Sequence, residues 1–297
     1  MKKSKRYSYS FFDIFNHAFM ILAASVCIYP FINMLAIALN DGLDSLRGGI
    51  YLIPRKPTIA NFATILSDAR ILQSIKISVL RTALGIIGAV ILNSMMAYAL
   101  CKKSLPGRKF FNWFIIIPMY FSGGIIPYFL VCRALGLTNR FMVFVLPWLI
   151  VPYYILLMRT FIQDMPASIE ESAKIDGASP YVVFFRIVLP LTMPSLATIA
   201  LFAGLMHWND WFDGMVMVRT KSLWPMQTLL LNILSGSEAA NYFKSKNLGL
   251  AMGAKQTITP ESVKAAIIIV TVAPIVMLYP FLQKYIVKGI MIGGVKG

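Results

Sequence analysis

Acidic side chains are scarce in this sequence, and two of them interrupt a long apolar stretch. Of the 297 residues, 12 are Asp or Glu, and Asp210 and Asp213 both fall within the apolar segment 195–218. A charged side chain at the centre of a bilayer costs roughly 2.5–3.5 kcal/mol on insertion scales, so ionisable residues in such segments are functional candidates. A carboxylate or amide beside an aromatic ring can bind a ligand that carries both hydroxyl groups and a flat apolar face. The residues that combine these groups here are Trp208, Asn209, Asp210 and Trp211.

The same segment also has structural interpretations. On one continuous helix Asn209 and Asp213 would share a face by their i, i+4 spacing. If the helix breaks instead, both acids could face water near the outer surface, and the tryptophans could belong to an interfacial aromatic belt. Tyr120 and Tyr128 flank small residues at 122–124 and could line a cavity, although helix packing explains them equally well. The candidate substrate path therefore consists of the four residues at 208–211 together with these two tyrosines.

A second group of acids lies in the polar segment 163–194, which is long for a simple connector. Ser168 is followed three residues later by Glu171, and this spacing is typical of a capping box at the start of a helix. Gly177 suits the position just past a helix end. The pattern predicts a short, capped helix that stops at this glycine.

A second short helix is predicted immediately afterwards. Ser179 followed by Pro180 has the order of an N-cap residue and a first helical residue, and Pro190 is expected to end the apolar run that follows. Two helices on a membrane surface must cover apolar side chains such as Ile169, Ala173 and Ile175. Lipid or another protein could cover them.

Catalytic motifs are missing from the sequence. It contains no G-x-x-x-x-G-K-[ST] phosphate loop, so we do not expect the chain to hydrolyse ATP itself. His17 and His207 have no carboxylate or cysteine partners at a metal-ligand spacing, and the three cysteines form no C-x-x-C pair. We therefore expect a chain that is not an enzyme and that holds no metal or cofactor of its own.

The composition is that of a membrane protein. Hydrophobic residues make up 58% of the chain, charged residues 13%, and the mean hydropathy is +0.71. A span needs about 20 mostly apolar residues and must be helical, because lipid offers the backbone no hydrogen-bond partner. Arg81, at the edge of the second predicted span, is expected to extend toward the membrane surface. The six predicted spans are residues 18–39, 82–100, 110–131, 141–161, 195–218 and 263–282.

The distribution of bases predicts the orientation. Acid-free basic clusters occur in the first twelve residues and at 101–109, and the tail after residue 282 is also basic. These three segments lie on one side of a six-span chain, which the positive-inside rule makes cytoplasmic. The net charge of +16 is explained by these flanks, so we do not expect nucleic acid as a partner. We expect anionic lipid instead.

This orientation predicts the following organisation. Residues 1–17 form a cytoplasmic N-terminus, residues 18–282 a transmembrane domain and residues 283–297 a cytoplasmic tail. Within the transmembrane domain, segment 163–194 is a cytoplasmic loop, and segments 40–81 and 219–262 are extracellular loops. The predicted fold class is an all-α polytopic membrane protein with six transmembrane helices.

The cytoplasmic loop resembles the EAA motif of ABC importer permeases. In that family the order is E-A-A, three residues, G, nine residues and I-x-L-P. The sequence here matches this spacing from Glu171 through Gly177 to Pro190, with Ser172 in place of the middle alanine. Segments 208–212 (WNDWF), 224–229 (WPMQTL) and 293–297 (GGVKG) are similar to segments of the carbohydrate-uptake branch, and occur in its order. The chain thus resembles the MalG-like and LplC/YtcP-like permeases of that branch.

This resemblance implies a type I (MetI/MalG-like) permease fold and an assembly of several chains. A second permease subunit would complete a heterodimer, a dimer of ATP-binding subunits would hold ATP and Mg, and an extracellular solute-binding protein would deliver an oligosaccharide. The location would be the plasma membrane of a bacterium, in the Gram-positive group. The loop would contact the ATPase, and the residues that the family motif assigns to this coupling are Glu170, Glu171, Ala173, Asp176, Gly177, Ala178, Ile187, Leu189 and Pro190.

Two other functions are alternatives to an importer permease. A self-contained secondary transporter would show inverted repeats and paired intramembrane charges, and neither is evident in the sequence. A membrane enzyme acting on lipid-linked sugar would need clustered acids or histidines near one face, for which Asp210 and Asp213 are a thin basis. Co-purification with an ATPase and a second permease would distinguish the importer from both.

Overall fold

The described part of the chain is mostly helical, as predicted. The structure, a computed structural model, describes residues 11–121, 123–235 and 258–294. Within these ranges the extended backbone pairs only at one isolated bridge, between Asn40 and Pro57. The α-helices are α1 (Phe11–Ala38), α2 (Gly42–Ser45), α3 (Ala60–Leu66), α4 (Ala69–Cys101), α5 (Arg108–Tyr120), α6 (Ile125–Ala134), α7 (Pro152–Gln163), α8 (Ala167–Ile175), α9 (Pro180–Val183), α10 (Leu189–Leu191), α11 (Met193–Asn209), α12 (Phe212–Met217), α13 (Met226–Leu234) and α14 (Pro260–Gly294).

Five of the six predicted spans correspond to helices or bent helix pairs that are long and apolar enough to cross a membrane. In the described part of the chain, α1, α4 and the first part of α14, Pro260–Leu278, meet this requirement as single helices. Two further candidates are bent pairs. Phe141–Trp148 and Pro152–Gln163 meet at 44°, and Pro180–Leu191 and Met193–Asn209 meet at 81°.

Two predicted spans are wrong in detail. The span predicted at 110–131 is divided into α5 and α6, which are separated by residues 121–124 with their glycine pair. The span predicted at 195–218 ends at Asn209, and the short helix α12 follows after a two-residue break. An apolar run fixes the presence of a span, but backbone breaks within it depend on tertiary partners that the run does not reveal.

The described residues of the first compact unit belong to 11–68, 232–235 and 258–272. Its polar centre is Asn61, whose side-chain amide donates to the carbonyl oxygens of Ala38 and Asn40 at 2.8 and 2.9 Å. The Asn61 Oδ1 atom accepts from the hydroxyl of Ser262 at 2.9 Å. This one buried side chain therefore joins the end of α1, α3 and the start of α14.

The second unit, residues 69–231 and 273–294 of the described chain, is built around α4. Helices α7 and α11 pack along α4, and buried side chains from the three helices belong to one apolar core. The closest approach is at Gly85, where an added Cβ would lie 2.1 Å from Nε2 of His207 on α11. Small residues permit such close helix crossings in membranes.

The bend before α7 is stabilised by one side chain of α4. Asn93 is fully buried, and its Nδ2 donates to the carbonyl of Leu149 at 2.9 Å. Its Oδ1 accepts from the backbone N–H of Val151 at 2.8 Å. Non-helical backbone at membrane depth is tolerated where protein groups satisfy it, and Asn93 supplies both groups here.

Candidate functional site

The first helix of loop 163–194 starts earlier than the capping box predicts. Helix α8 begins at Ala167, directly after Pro166, and no side chain caps its first N–H groups. Ser168 is the second residue of the helix rather than its N-cap, so the predicted capping box is wrong. The fixed backbone geometry of proline suits entry into a helix, and Pro166 has φ −58°.

Helix α8 ends just before Gly177, as the sequence predicts. This glycine has φ +79°, a conformation that L side chains rarely adopt. The N–H of Ala178 donates to the carbonyl of Ala173 at 2.9 Å, and the N–H of Gly177 donates to that of Lys174 at 3.0 Å. These two bonds form a Schellman motif, which reverses the chain sharply at the end of the helix.

The second helix of the loop begins as predicted and runs further than predicted. Ser179 is its N-cap and accepts from the N–H of Val182 at 3.4 Å, with Pro180 at the first helical position. A π-helical segment at Phe184–Val188 then leads into α10, so Pro190 lies inside a helical run that ends at Leu191. π turns lie inside longer helices and change their hydrogen-bond pattern, and here the proline does not end the run.

The coupling residues predicted from the motif divide into an outer and an inner set. Glu171, Asp176, Gly177 and Pro190 are exposed, whereas Ala173 is buried. Glu170, Ala178, Ile187 and Leu189 are partly buried. The inner set packs on an apolar cluster, here called the loop cluster, whose buried members are Tyr98, Ala173, Val183, Phe184 and Val188.

The outer surface of the loop also carries apolar side chains that the motif does not include. Ile175 is 86% exposed and Tyr181 is 71% exposed, and Phe185 lies beside them in the sequence and is half exposed. Several large exposed apolar side chains within one short segment suit a contact with another protein or with lipid. Ile175 is among the side chains that the sequence predicts must be covered, but Tyr181 and Phe185 are not.

Glu170 is the electrostatic centre of the loop. Its Oε1 forms ion pairs with Lys102, at the end of α4, and with Lys174, one helical turn away at 3.0 Å. Burial opposes ionisation of this carboxyl, but the hydrogen bonds from the two lysines outweigh it and hold the pKa of Glu170 below its usual range. The hydrogen bond to Glu170 in turn raises the pKa of Lys174.

Asp210, predicted to lie in the substrate path, is bound by protein groups. Its Oδ2 pairs with Nη2 of Arg81 at 2.6 Å, and its backbone carbonyl accepts from Nη1 of the same arginine at 3.1 Å. Its Oδ1 accepts from the N–H of Phe212 at 3.0 Å. Asp210 therefore holds the break between α11 and α12, and no single helix face joins Asn209 to Asp213.

Arg81 does not extend to a membrane surface as predicted. It lies in the interior of α4, is 1% exposed and stands 4.8 Å from the centre of the Phe144 ring. Asp213 is equally buried and accepts from the hydroxyl of Tyr128 at 3.1 Å and from Nε1 of Trp148 at 2.8 Å. The interpretation that both acids face water is therefore wrong for Asp213, although the helix break on which it depended is present.

The residues left exposed beside the break are Asn209 and Trp211, whose ring is 46% exposed. Nε2 of Gln227 donates to Oδ1 of Asn209 at 3.3 Å, which adds a second amide that the sequence analysis did not select. Trp208 is buried and does not share this surface. Tyr120 is exposed at the end of α5.

No cluster of three metal-ligating side chains occurs among the described residues. The site is thus an exposed loop surface and, separately, a helix break held by buried charges with two amides and an indole beside it. Such groups can bind a partner protein and a polyhydroxylated ligand.

Comparison with known proteins decides between the candidate functions. A family model described as "Binding-protein-dependent transport system inner membrane component" matches residues 5–292. The chain belongs to this family. It is therefore a membrane-embedded permease subunit of an ABC importer and not an enzyme, which confirms the assignment made from the EAA motif.

Individual relatives cover the permease almost from end to end. It is 34% identical over 286 residues to the polygalacturonan/rhamnogalacturonan transport system permease protein YtcP of Bacillus subtilis (strain 168), covering 96% of this chain and 98% of that one. It is 34% identical over 289 residues to Protein LplC of the same organism, covering 96% and 95%.

A solved structure confirms the fold. One chain of a bacterial ABC transporter involved in the import of the acidic polysaccharide alginate superposes with a TM-score of 0.84 at 28% identity. The match covers 94% of the permease and 99% of that chain. The predicted type I permease fold is therefore confirmed.

Proposed function

We propose that the permease forms one half of the translocation path of an ATP-driven importer for oligosaccharides, including fragments of polysaccharides. The proposal is supported by the relatives, which are named for transport of polygalacturonan and rhamnogalacturonan or belong to an importer of alginate. The ligands in those names are carbohydrate chains rather than single sugars. The permease would pass such a chain through the membrane together with its partner subunit.

The assembly would contain a second permease, a dimer of ATP-binding subunits that holds ATP and Mg, and a solute-binding protein outside. The acid-free cluster of bases at 101–109 supports placing loop 163–194 at the cytoplasmic face of a bacterial plasma membrane. Both termini would be cytoplasmic. The two Bacillus relatives support a Gram-positive source.

The observation that carries the coupling role is the geometry of the loop. Helix α8 ends in a Schellman motif at Gly177, and its exposed side presents Glu171 and Ile175 away from the loop cluster. A short helix with a fixed end and an uncovered apolar side suits insertion into a cleft of another protein. The ATP-binding subunit is the partner that would supply this cleft.

The substrate path would pass the break between α11 and α12. Asn209, Trp211 and Gln227 combine two amides with an exposed indole, and such groups bind sugar hydroxyls and apolar sugar faces. Asp210 would act through Arg81 by fixing the break rather than by touching the sugar. Trp208 and Tyr128 would support the path from within the protein, and Tyr120 would lie at its margin.

The test is reconstitution of the permease with its partner subunit, the ATP-binding dimer and the binding protein in proteoliposomes. Sugar-loaded binding protein should stimulate ATP hydrolysis and drive uptake of the labelled sugar. Complete uptake in the absence of ATP would remove the importer proposal.

The path is tested separately with Asn209→Ala and Trp211→Ala. Each should raise the sugar concentration that gives half-maximal uptake, whereas Met215→Ala, an exposed apolar control on α12, should not. Asp210→Asn should instead reduce the amount of assembled complex, because it leaves buried Arg81 without its charge partner. Unchanged uptake in both path variants, Asn209→Ala and Trp211→Ala, would place the substrate on the partner subunit.

A further inference from the structure

Two neighbouring acids in α8 have different surroundings. The side chain of Glu170 is 24% exposed and is paired with both Lys102 and Lys174. Glu171 is exposed and points away from the loop cluster, and no ion pair with a Lys or Arg is found for it within the described residues. The sequence does not distinguish the two acids, but in the fold Glu170 is partly buried and Glu171 is exposed.

The ion pair between Lys102 and Glu170 joins two separate elements. Lys102 directly follows the last residue of α4, and its Nζ stands 3.8 Å from the centre of the Tyr98 ring in the last turn of that helix. Its position is thus fixed by α4 through a cation–π contact and by α8 through the carboxylate. The pair between Lys174 and Glu170 stays within α8 by its i, i+4 spacing.

The remaining contact between α4 and α8, the first helix of the loop, is small. A cavity of about 490 Å³ opens between the end of α4 and the loop, and Tyr98, Lys102, Glu170 and Phe184 are among its lining residues. Among the buried members of the loop cluster, which are all described, Tyr98 alone comes from α4, and it contacts Phe184 at 5.3 Å between ring centres. An interface with an open cavity transmits force through the few atoms that bridge it.

We propose that the ion pair between Lys102 and Glu170 is the link through which movement of the coupling loop is transmitted to α4, so that Glu170 is a positioning residue for transport. This inference rests on the coupling role proposed above for the loop. Glu171, on the outer side, contacts the ATP-binding subunit, and Glu170, on the inner side, connects α8 to the helix around which the second unit is built. Movement of the ATP-binding subunit thus reaches α8 through Glu171 and passes from α8 to α4 through Glu170.

The two lysines allow a matched test. Lys102→Met and Lys174→Met each remove one ion pair with the same carboxylate oxygen of Glu170. The first substitution breaks the connection between α8 and α4, and the second does not. The measurement is the amount of sugar transported per ATP hydrolysed by the assembled complex in proteoliposomes. Lys102→Met should lower this ratio severalfold with ATP hydrolysis maintained, whereas Lys174→Met should leave it close to that of the unmodified protein.

A charge exchange separates transmission from simple loss of folding. In the Lys174→Met background, Glu170→Lys alone and Lys102→Glu alone should each uncouple transport. The two together should restore it in part, because the exchange recovers the ion pair but not the cation–π contact with Tyr98. A normal ratio in Lys102→Met, or an equal loss in Lys174→Met, overturns the inference. So does failure of the paired exchange to restore a complex that assembles in normal amount.

A further variant distinguishes failure of this inference from failure of the coupling role proposed for the loop. Gly177→Leu alters the outer side of the loop and leaves the pair in place. If Gly177→Leu transports normally, the loop has no coupling role and both proposals fail. If Gly177→Leu is inactive while Lys102→Met keeps a normal ratio, the loop couples by another route and this inference alone fails.

Discussion

Replacing Asn93 by leucine should destabilise the permease more than a typical hydrogen-bond deletion in a membrane protein. The carboxamide satisfies a backbone acceptor at Leu149 and a backbone donor at Val151, both at the bend that precedes α7. Leucine has nearly the same size as asparagine and is more hydrophobic, so it should be accommodated at this position of α4. What it removes is the partner of two peptide groups that lie outside any helix.

The size of the effect follows from those two groups. A buried donor or acceptor without a partner costs about 1–3 kcal/mol, which gives roughly 2–6 kcal/mol for the pair. Burial of the leucine side chain offsets about 1.5–3 kcal/mol of this loss. The mid-points of the two ranges, about 4 and about 2 kcal/mol, leave an expected net destabilisation of roughly 2 kcal/mol, whereas hydrogen bonds between transmembrane helices average about 0.6 kcal/mol.

The assay combines unfolding with a local probe. Unfolding of the assembled complex in mild detergent should show a lower midpoint for Asn93→Leu, and hydrogen exchange at the Val151 amide should accelerate. Thr198→Val is the matched control, because that buried hydroxyl bonds the Pro194 carbonyl within its own helix. If Asn93→Leu costs no more than this control, or Val151 exchange is unchanged, the role assigned to Asn93 is refuted.

The other predictions concern the loop, the topology and pH. Gly177→Ala should cost the isolated subunit only about 1 kcal/mol, because its positive φ disfavours a Cβ but the space around it is open, whereas Gly177→Leu should abolish uptake without lowering the amount in the membrane. In a background without native cysteines, a cysteine at Ser45 should react with an impermeant reagent from outside, and one at Ser104 should not; the reverse result would invert the topology. Because the pKa of Glu170 is lowered, its ion pairs contribute above the ordinary carboxyl pKa of about 4.3 and are lost as pH falls through the lower folded value. The ratio of sugar to ATP should therefore be flat between about pH 6 and 8, and a fall across that range would contradict it.

Features set by neighbouring residues were predictable from the sequence. Gly177 and Ser179 act through bonds to residues within five positions, and the structure has the helix end and the helix start where these residues predict them. Ser168 has an equally good local pattern, but Pro166 starts the helix first. Local signals of equal quality compete, and the sequence alone does not rank them.

Features set by distant partners were not predictable in this way. The position of Arg81 near the end of a predicted span suggests contact with the membrane surface, whereas its partner in the structure, Asp210, lies 129 positions away. The break at Asp210 and the burial of Asp213 depend on side chains from α4, α6 and the turn before α7. Long apolar runs locate most of the candidate spans, but they contain no information about where a charge inside one span finds its counter-charge in another.

The separation of Arg81 and Asp210 along the chain also affects when α4 can be inserted into the membrane. Ribosomes add roughly 5–20 residues per second, so the 129 positions between Arg81 and Asp210 correspond to roughly 6–26 s of synthesis. During that interval α4 has left the ribosome with an unpaired guanidinium, which on insertion scales costs roughly 2.5–3.5 kcal/mol at the bilayer centre. We expect α4 to remain beside the translocon, or to sit shallowly with Arg81 near the headgroups, until the α11 segment arrives. Integration of this helix is then a late event in biogenesis, although it is among the first to be translated.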